Sequence, residues 1–239
     1  MKVLGRGKTL EFEDTPGGFL ILDGQHRVYG FAKVTKPLRV PVVIYNGLSR
    51  TEESRLFIDI NTKQRPVPAQ LLLDIKRLAD IEDESEGLLR DIFDQFHEAT
   101  FSSMSGLTAP FDSAKNKISR VTFNSAVKPL LEFFGDRSAS EIFDILNSYL
   151  RAASSCLTSK SSTNLLAKPV VFRAVMGLFP VITQRVQDKF SSKYTSSNFF
   201  TILEPIFSNL PAKKLLEPGT SWVALRDYFE ARLKKKMSI

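Results

Sequence analysis

Five consecutive residues, Asp23-Gly24-Gln25-His26-Arg27, bring together a carboxylate, a glycine, an amide, an imidazole and a guanidinium. They follow an apolar run at 19–22 (FLIL) that reads as a buried strand. They lead into Gln25 to Val34, which has helical spacing with Val28, Phe31 and Ala32 on its inner side. A helix start after a strand offers free N–H groups and a partial positive charge, which suits a phosphate. Gly24 lets a ligand approach the backbone closely. Arg27 can hold phosphate oxygens with two parallel hydrogen bonds. Gln25 and His26 add donors, and His26 can shuttle a proton. Asp23 can hold Mg²⁺, an ion that arrives with phosphates and takes few carboxylates. A plainer reading exists for each residue alone: Asp23 is a good N-cap, and Asp-Gly is a common turn. Four polar residues among five, directly after an apolar run, favour the chemical reading.

The elements that must position this box are read as follows. A turn signal, Thr15-Pro16-Gly17-Gly18, precedes it. Residues 38–45 (LRVPVVIY) are β-branched and apolar and predict a second strand, with Pro41 at an edge or bulge. Ser49, with Glu52 three residues on, opens a helix as in a capping box. That helix buries Leu56, Phe57 and Ile60 and ends near Asn61. A further helix starts at about Pro68, a residue suited to a first helical turn. After residue 81 strand signals fade and helical spacing dominates, over 84–98, 121–134, 138–153, 169–189, 197–208 and 220–236. Loops are expected at 99–117, 154–168 and 209–219. The expected class is α+β and mainly helical: a small strand–helix core over 1–80, then an all-helical half over 81–239.

Composition narrows the chemistry. With 43% hydrophobic and 25% charged residues in 239, the chain has an ordinary globular make-up. No uninterrupted apolar run approaches the ~20 residues of a membrane span, and the opening MKVLGRGKTLEFED has no signal-like apolar core. A cytoplasmic protein without a membrane partner is the expectation. The single cysteine, Cys156, excludes an intrachain disulfide. One Cys and two His (His26, His97) are too few for a conventional zinc site. The formal charge is +7, unevenly spread. Residues 1–80 hold 13 Lys/Arg against 9 Asp/Glu, residues 81–110 hold 1 against 7, and residues 111–239 hold 19 against 10. A basic C-terminal half set off by an acidic stretch can contact nucleic-acid phosphates, although a solvated basic face explains it equally well.

The stretch ILDGQHRVYGF resembles the defining box of DGQHR-domain proteins, including the DndB-type proteins linked to DNA phosphorothioation. Beyond the next strand and the Ser-started helix the chain reads FIDINTKQRPVPAQLL. The family shows a Phe-x-x-Ile-Asn-x-x-Gln pattern there, matched by Phe57, Ile60, Asn61 and Gln64. The resemblance covers about residues 17–75 of the sequence. It implies a ParB-like core whose strand–helix box binds a nucleoside triphosphate. Asp23, Gly24, Gln25, His26 and Arg27 would form the phosphate box, and Asn61, Gln64 and Arg65 a second wall of the same cleft. Asp23, Gln25 and His26 would be the catalytic groups, and Asp23 the metal ligand. ATP or another triphosphate with Mg²⁺ is the implied cofactor, with ATP hydrolysis in a bacterial DNA-modification or defence system. The family usually has a substantial region before the box that supplies strands to the core. Only 22 residues precede the box here, so a shortened or partial core is expected.

Weaker signals stand beside these. Gly5-Arg6-Gly7-Lys8-Thr9 resembles the end of a phosphate-binding Walker loop, but Lys2 stands where that pattern needs its first glycine. His97 shares a predicted helix with Asp91, Asp94 and Glu98, a spacing more often found as a surface feature than as a metal site. Lys213-Lys214 and Lys234-Lys235-Lys236 are basic clusters, usually solvated. Tyr194, Phe199, Phe200 and Phe207 read as helix-core residues. The chain lacks the dense carboxylate cluster of a two-metal nuclease. Three readings follow: a triphosphate-binding protein with possible hydrolysis, a non-enzymatic DNA-binding regulator, and a protein-interaction scaffold.

Overall fold

The computed structural model describes residues 2–4, 9–13, 15–35, 39–64, 68–111, 114–158, 160, 164–208 and 210–235, with the backbone alone for 2–4, 62–64 and 234–235. The chain divides into two compact units, Met1–Ile81 and Glu82–Ile239. The second is mainly helical, and the first holds three helices and one hairpin among its described residues.

The N-terminal unit opens with a hairpin of β1 (Lys2–Leu4) and β2 (Thr9–Glu11), antiparallel with Lys2 opposite Glu11 and Leu4 opposite Thr9. Helices α1 (Gln25–Phe31), α2 (Arg50–Gln64) and α3 (Ala69–Leu78) follow. The capping box at the start of α2 forms. The Ser49 backbone N–H and hydroxyl each donate to Glu52 Oε2 at 2.8 Å, and the Glu52 N–H donates back to Ser49 Oγ at 3.3 Å. Those bonds from Ser49 hold the Glu52 carboxyl below its usual range. Thr51 Oγ1 donates to the Ala79 carbonyl at 3.3 Å, tying α2 to the end of α3, which begins directly after Pro68.

Three expectations for this unit are corrected. Residues 19–22 and 39–45 form no ladder among the described residues, so neither run is a strand there (Leu38 lies outside the described residues). Neither is buried: Leu20 is 69% and Val43 79% exposed. A strand exists only through a ladder of hydrogen bonds to a neighbour. Among the described residues of this unit the only ladder is the three-rung hairpin. Helix α1 likewise buries no side chain, and Val28 and Phe31 face solvent. Leu56, Phe57 and Ile60 of α2 are half-buried.

The C-terminal unit contains the core. Helix α4 (Glu84–Glu98) starts on a complete capping box of Asp83 and Glu86 and buries Leu89, Ile92, Phe93 and Phe96. Strands β3 (Thr108–Ala109) and β4 (Ile118–Ser119) make a short parallel pair within and after the loop expected at 99–117. Helix α5 (Arg120–Val127) then tightens into a 3-10 turn at Lys128–Phe133. Pro129 lacks the N–H that an α-helical ladder needs, and at this proline the helix expected over 121–134 gives way to the tighter turn. Helix α6 (Ala139–Thr158) outlasts its expected end at 153 because Cys156 and Leu157 keep the apolar spacing among serines. After a 3-10 turn at Leu165–Ala167 come α7 (Pro169–Phe190), α8 (Ser196–Phe207), α9 (Ala212–Leu216) and α10 (Trp222–Lys235). Helix α9 lies inside the loop expected at 209–219, pinned by the buried Leu215.

Helix α7 is central, with nine buried residues and contacts to α5, α8 and α10. Among the described residues it alone is long and apolar enough to cross a membrane. Half of its apolar window is packed inside the unit, as for a core helix. The core is rich in aromatic contacts. Phe123 of α5 meets Phe93 and Phe96 of α4 and Phe172 of α7, with centroids 5.3, 5.5 and 6.0 Å away. Tyr149 donates from Oη to the Val175 carbonyl at 2.6 Å, and burial pushes its phenol well above the usual range. Burial, with the Glu204 carboxylate nearby, pushes the Cys156 thiol up to about 12, which marks it as an inert core thiol.

Gly177 of α7 packs against side chains of α10. A Cβ there would stand 2.9 Å from Arg226 Cδ and 3.1 Å from the Trp222 ring. Gly177→Ala gains about 1 kcal/mol of helix propensity but overpacks this contact at a cost of about 1–3 kcal/mol. A net loss of about 1 kcal/mol is expected in thermal unfolding, and an unchanged or raised Tm would refute the close approach of α10.

Candidate functional site

Gly24 is the residue that shapes the Asp23–Arg27 box. It precedes α1 with φ 86°, a left-handed conformation that glycine adopts without strain, and its carbonyl accepts from the Val28 N–H at 3.0 Å. Asp23, an N-cap on the plainer reading, does not cap: Gly24 holds that position and no side chain bonds to the helix start. The reason lies four residues on. Arg27 Nη2 sits 3.0 Å from Asp23 Oδ2, and the guanidinium folds back over Gly24. A Cβ on residue 24 would lie 3.1–3.4 Å from three guanidinium atoms, so the glycine makes room for that fold-back. Gln25 Nε2 donates to the Ile21 carbonyl at 3.1 Å, which ties the box to the preceding segment and spends one of its amide hydrogens. His26 is exposed, as is Arg27 at 69%, while Asp23 is half-buried.

The partner wall is only partly described. Asn61, on α2, turns its amide onto its own helix, with Nδ2 donating to the Phe57 carbonyl at 2.8 Å. The Gln64 side chain and Arg65 lie outside the described residues. Among the described residues no hydrogen bond joins Asn61 to the box. Nor do three or more His, Cys, Asp or Glu side chains gather into a metal-binding group.

The other singled-out residues are placed as follows. Residues 5–8 of the Walker-like segment lie outside the described residues. His97 Nδ1 is 2.8 Å from the buried Thr108 Oγ1, and its ring stacks on Phe93. Asp94 faces elsewhere, 3.8 Å from Arg120 Nη2. The two residues therefore do not converge on one ligand position. Arg120 itself is 2% exposed, with its guanidinium 5.6 Å over the Phe93 ring. Lys213 reaches Glu217 at 4.0 Å and Lys214 lies over Tyr228. The side chains of Lys234, Lys235 and Lys236 lie outside the described residues. Phe199 and Phe207 are buried and Tyr194 packs against the core, whereas Phe200 is exposed.

Two concavities lie in the C-terminal unit. One is an open groove of about 700 Å³ along α7 and α8, bearing Arg185 and Lys189. The other is a smaller cleft of about 180 Å³ between the 3-10 turn at Lys128–Phe133, α6 and α7. Its residues are scattered over 133–194 in sequence and only folding assembles them, so no local pattern points to it. No protein-family model, curated protein or solved structure matches this chain.

Proposed function

We propose that the Asp23–Arg27 box is a phosphate-binding element and that the chain binds a nucleoside triphosphate or DNA as a DGQHR-type, ParB-like protein of a DNA-modification system. The observation that supports this reading is an exposed guanidinium packed against a glycine that has no side chain to obstruct a ligand. Arg27 would supply the bidentate grip on phosphate oxygens. Gly24 would let the phosphate approach the main chain, and His26, free in solvent, would add a donor. The Asp23 carboxylate holds Arg27 in place until a phosphate takes over the guanidinium. The same carboxylate could then hold Mg²⁺ beside the phosphates, although one carboxylate alone is a sparse ligand set. When bound, the ion would neutralise phosphate charge. Gln25 is already committed to Ile21, so its role is to fix the box.

Calorimetric titration of the full chain with ATP, CTP and GTP in the presence of Mg²⁺ tests the proposal. Binding of at least one triphosphate, weakened in Arg27→Ala, is expected. Absence of binding with all three would overturn the triphosphate reading and leave DNA phosphates as the ligand, to be recognised by a steep fall of affinity with salt.

A further inference from the structure

The geometry points to a second nucleotide-binding place, on the C-terminal unit: the smaller cleft takes one nucleobase, and the cationic groove next to it takes the attached phosphate. This does not rest on the box in the N-terminal unit. The cleft has aromatic walls. Phe134 and Phe179 form a buried floor with ring centroids 5.5 Å apart, Tyr194 stands at the edge, and Phe133 projects into solvent with 60% of its surface exposed. A volume of about 180 Å³ is below the about 300–1,000 Å³ of a drug-sized site, which leaves room for a single planar ring system. Stacking of a base on an exposed aromatic face is tolerant of base identity.

The rim supplies polar groups for the edge of such a ring. Gln187 lies exposed on the rim with its amide available, whereas the Thr183 hydroxyl is spent on the Phe179 carbonyl at 2.6 Å. Arg137 is anchored by Nη1 on the Phe134 carbonyl at 2.9 Å, which fixes its guanidinium at the cleft. The cleft and the larger groove share Pro180 and Gln184 and are therefore neighbours. In the groove the Asp188 carboxylate accepts from the Gln184 amide at 2.9 Å and keeps its charge, so the two cations there outnumber it by one. Arg185 and Lys189, one helical turn apart, form no ion pair among the described residues. An aromatic slot with an exposed amide, beside a groove that carries Arg185 and Lys189 (the latter over the Phe190 ring at 5.4 Å), has the complementarity of a nucleotide: ring, hydrogen-bonding edge, then phosphate. The nucleotide can be a free one or one residue of a single strand, and both present this chemistry.

The test uses the full chain and two probes, a fluorescent single-stranded oligodeoxynucleotide followed by anisotropy and free AMP and ATP as competitors. Phe133→Ala and Gln187→Ala change exposed side chains, and thermal unfolding confirms that the fold is kept. Phe133→Ala is expected to weaken binding roughly 5- to 150-fold, and an Arg185→Ala, Lys189→Ala double variant to flatten its salt dependence. Competition by free nucleotides assigns the subsite to a free nucleotide, and oligonucleotide binding without such competition assigns it to a strand. Arg27→Ala leaves these effects intact, which separates this site from the box. Binding that Phe133→Ala and Gln187→Ala leave unchanged, or no binding of either probe, would overturn the inference.

Discussion

Arg27→Ala is expected to lower the affinity of the chain for its triphosphate roughly 10- to 150-fold, since a charge-assisted hydrogen bond contributes about 1.5–3 kcal/mol. The fold should be untouched. The side chain is 69% exposed, its ion pair is a surface one, and α1 buries nothing. Two further substitutions sharpen the result. Arg27→Lys keeps the charge but loses the planar fork, so it should fall between wild type and Arg27→Ala. Asp23→Asn removes the internal counter-ion at 3.0 Å. If Asp23 only restrains Arg27, binding of ATP without Mg²⁺ improves by up to about fivefold, the scale of an exposed ion pair. If Asp23 also holds the metal, binding with Mg²⁺ weakens. Calorimetry on the three variants reads all of these. Unchanged affinity in Arg27→Ala would remove the box from any account of ligand binding.

The helical part of this fold was legible because its signals are local. Capping boxes at Ser49–Glu52 and Asp83–Glu86 and the apolar spacing of Leu89, Ile92, Phe93 and Phe96 each act within one or two turns. The apolar runs at 19–22 and 39–45 were misread because a strand is a property of a pair. Their β-branched and apolar composition marks them as able to pair, but it cannot supply the neighbouring strand. Helix α9 and the β3–β4 pair were missed for the same reason: Leu215 and Thr108 are held by distant contacts, not by periodicity. At the candidate site the residue types and their order were readable. The fold-back of Arg27 over Gly24, which keeps Asp23 from capping, was not. A cap and an i,i+4 ion pair compete for one carboxylate, and the sequence Asp-Gly-Gln-His-Arg is compatible with either.

The same contrast between local apolarity and real burial yields the largest expected effect on stability. Phe123 and Val43 both belong to segments with apolar character. Phe123 is fully buried, with rings from α4 and α7 on three sides, and Phe123→Ala would remove the ring that joins those helices through α5. A loss of about 3–5 kcal/mol is expected for a large aromatic truncated in a packed core. Thermal unfolding should show it as a drop in Tm of roughly 6–20 °C. Val43 is 79% exposed, so Val43→Ala should stay within about 0.5 kcal/mol of wild type. The comparison separates two accounts of the 39–45 run. If Val43→Ala costs well over ~1 kcal/mol, the run is buried in solution. If only Phe123→Ala is costly, the C-terminal unit carries the stability of the chain, and the N-terminal unit presents its box on elements that contribute little packing of their own. In that case ligand binding at Arg27 should itself raise the protection of α1 against amide exchange, because a segment with few buried contacts gains most when a ligand selects its ordered state.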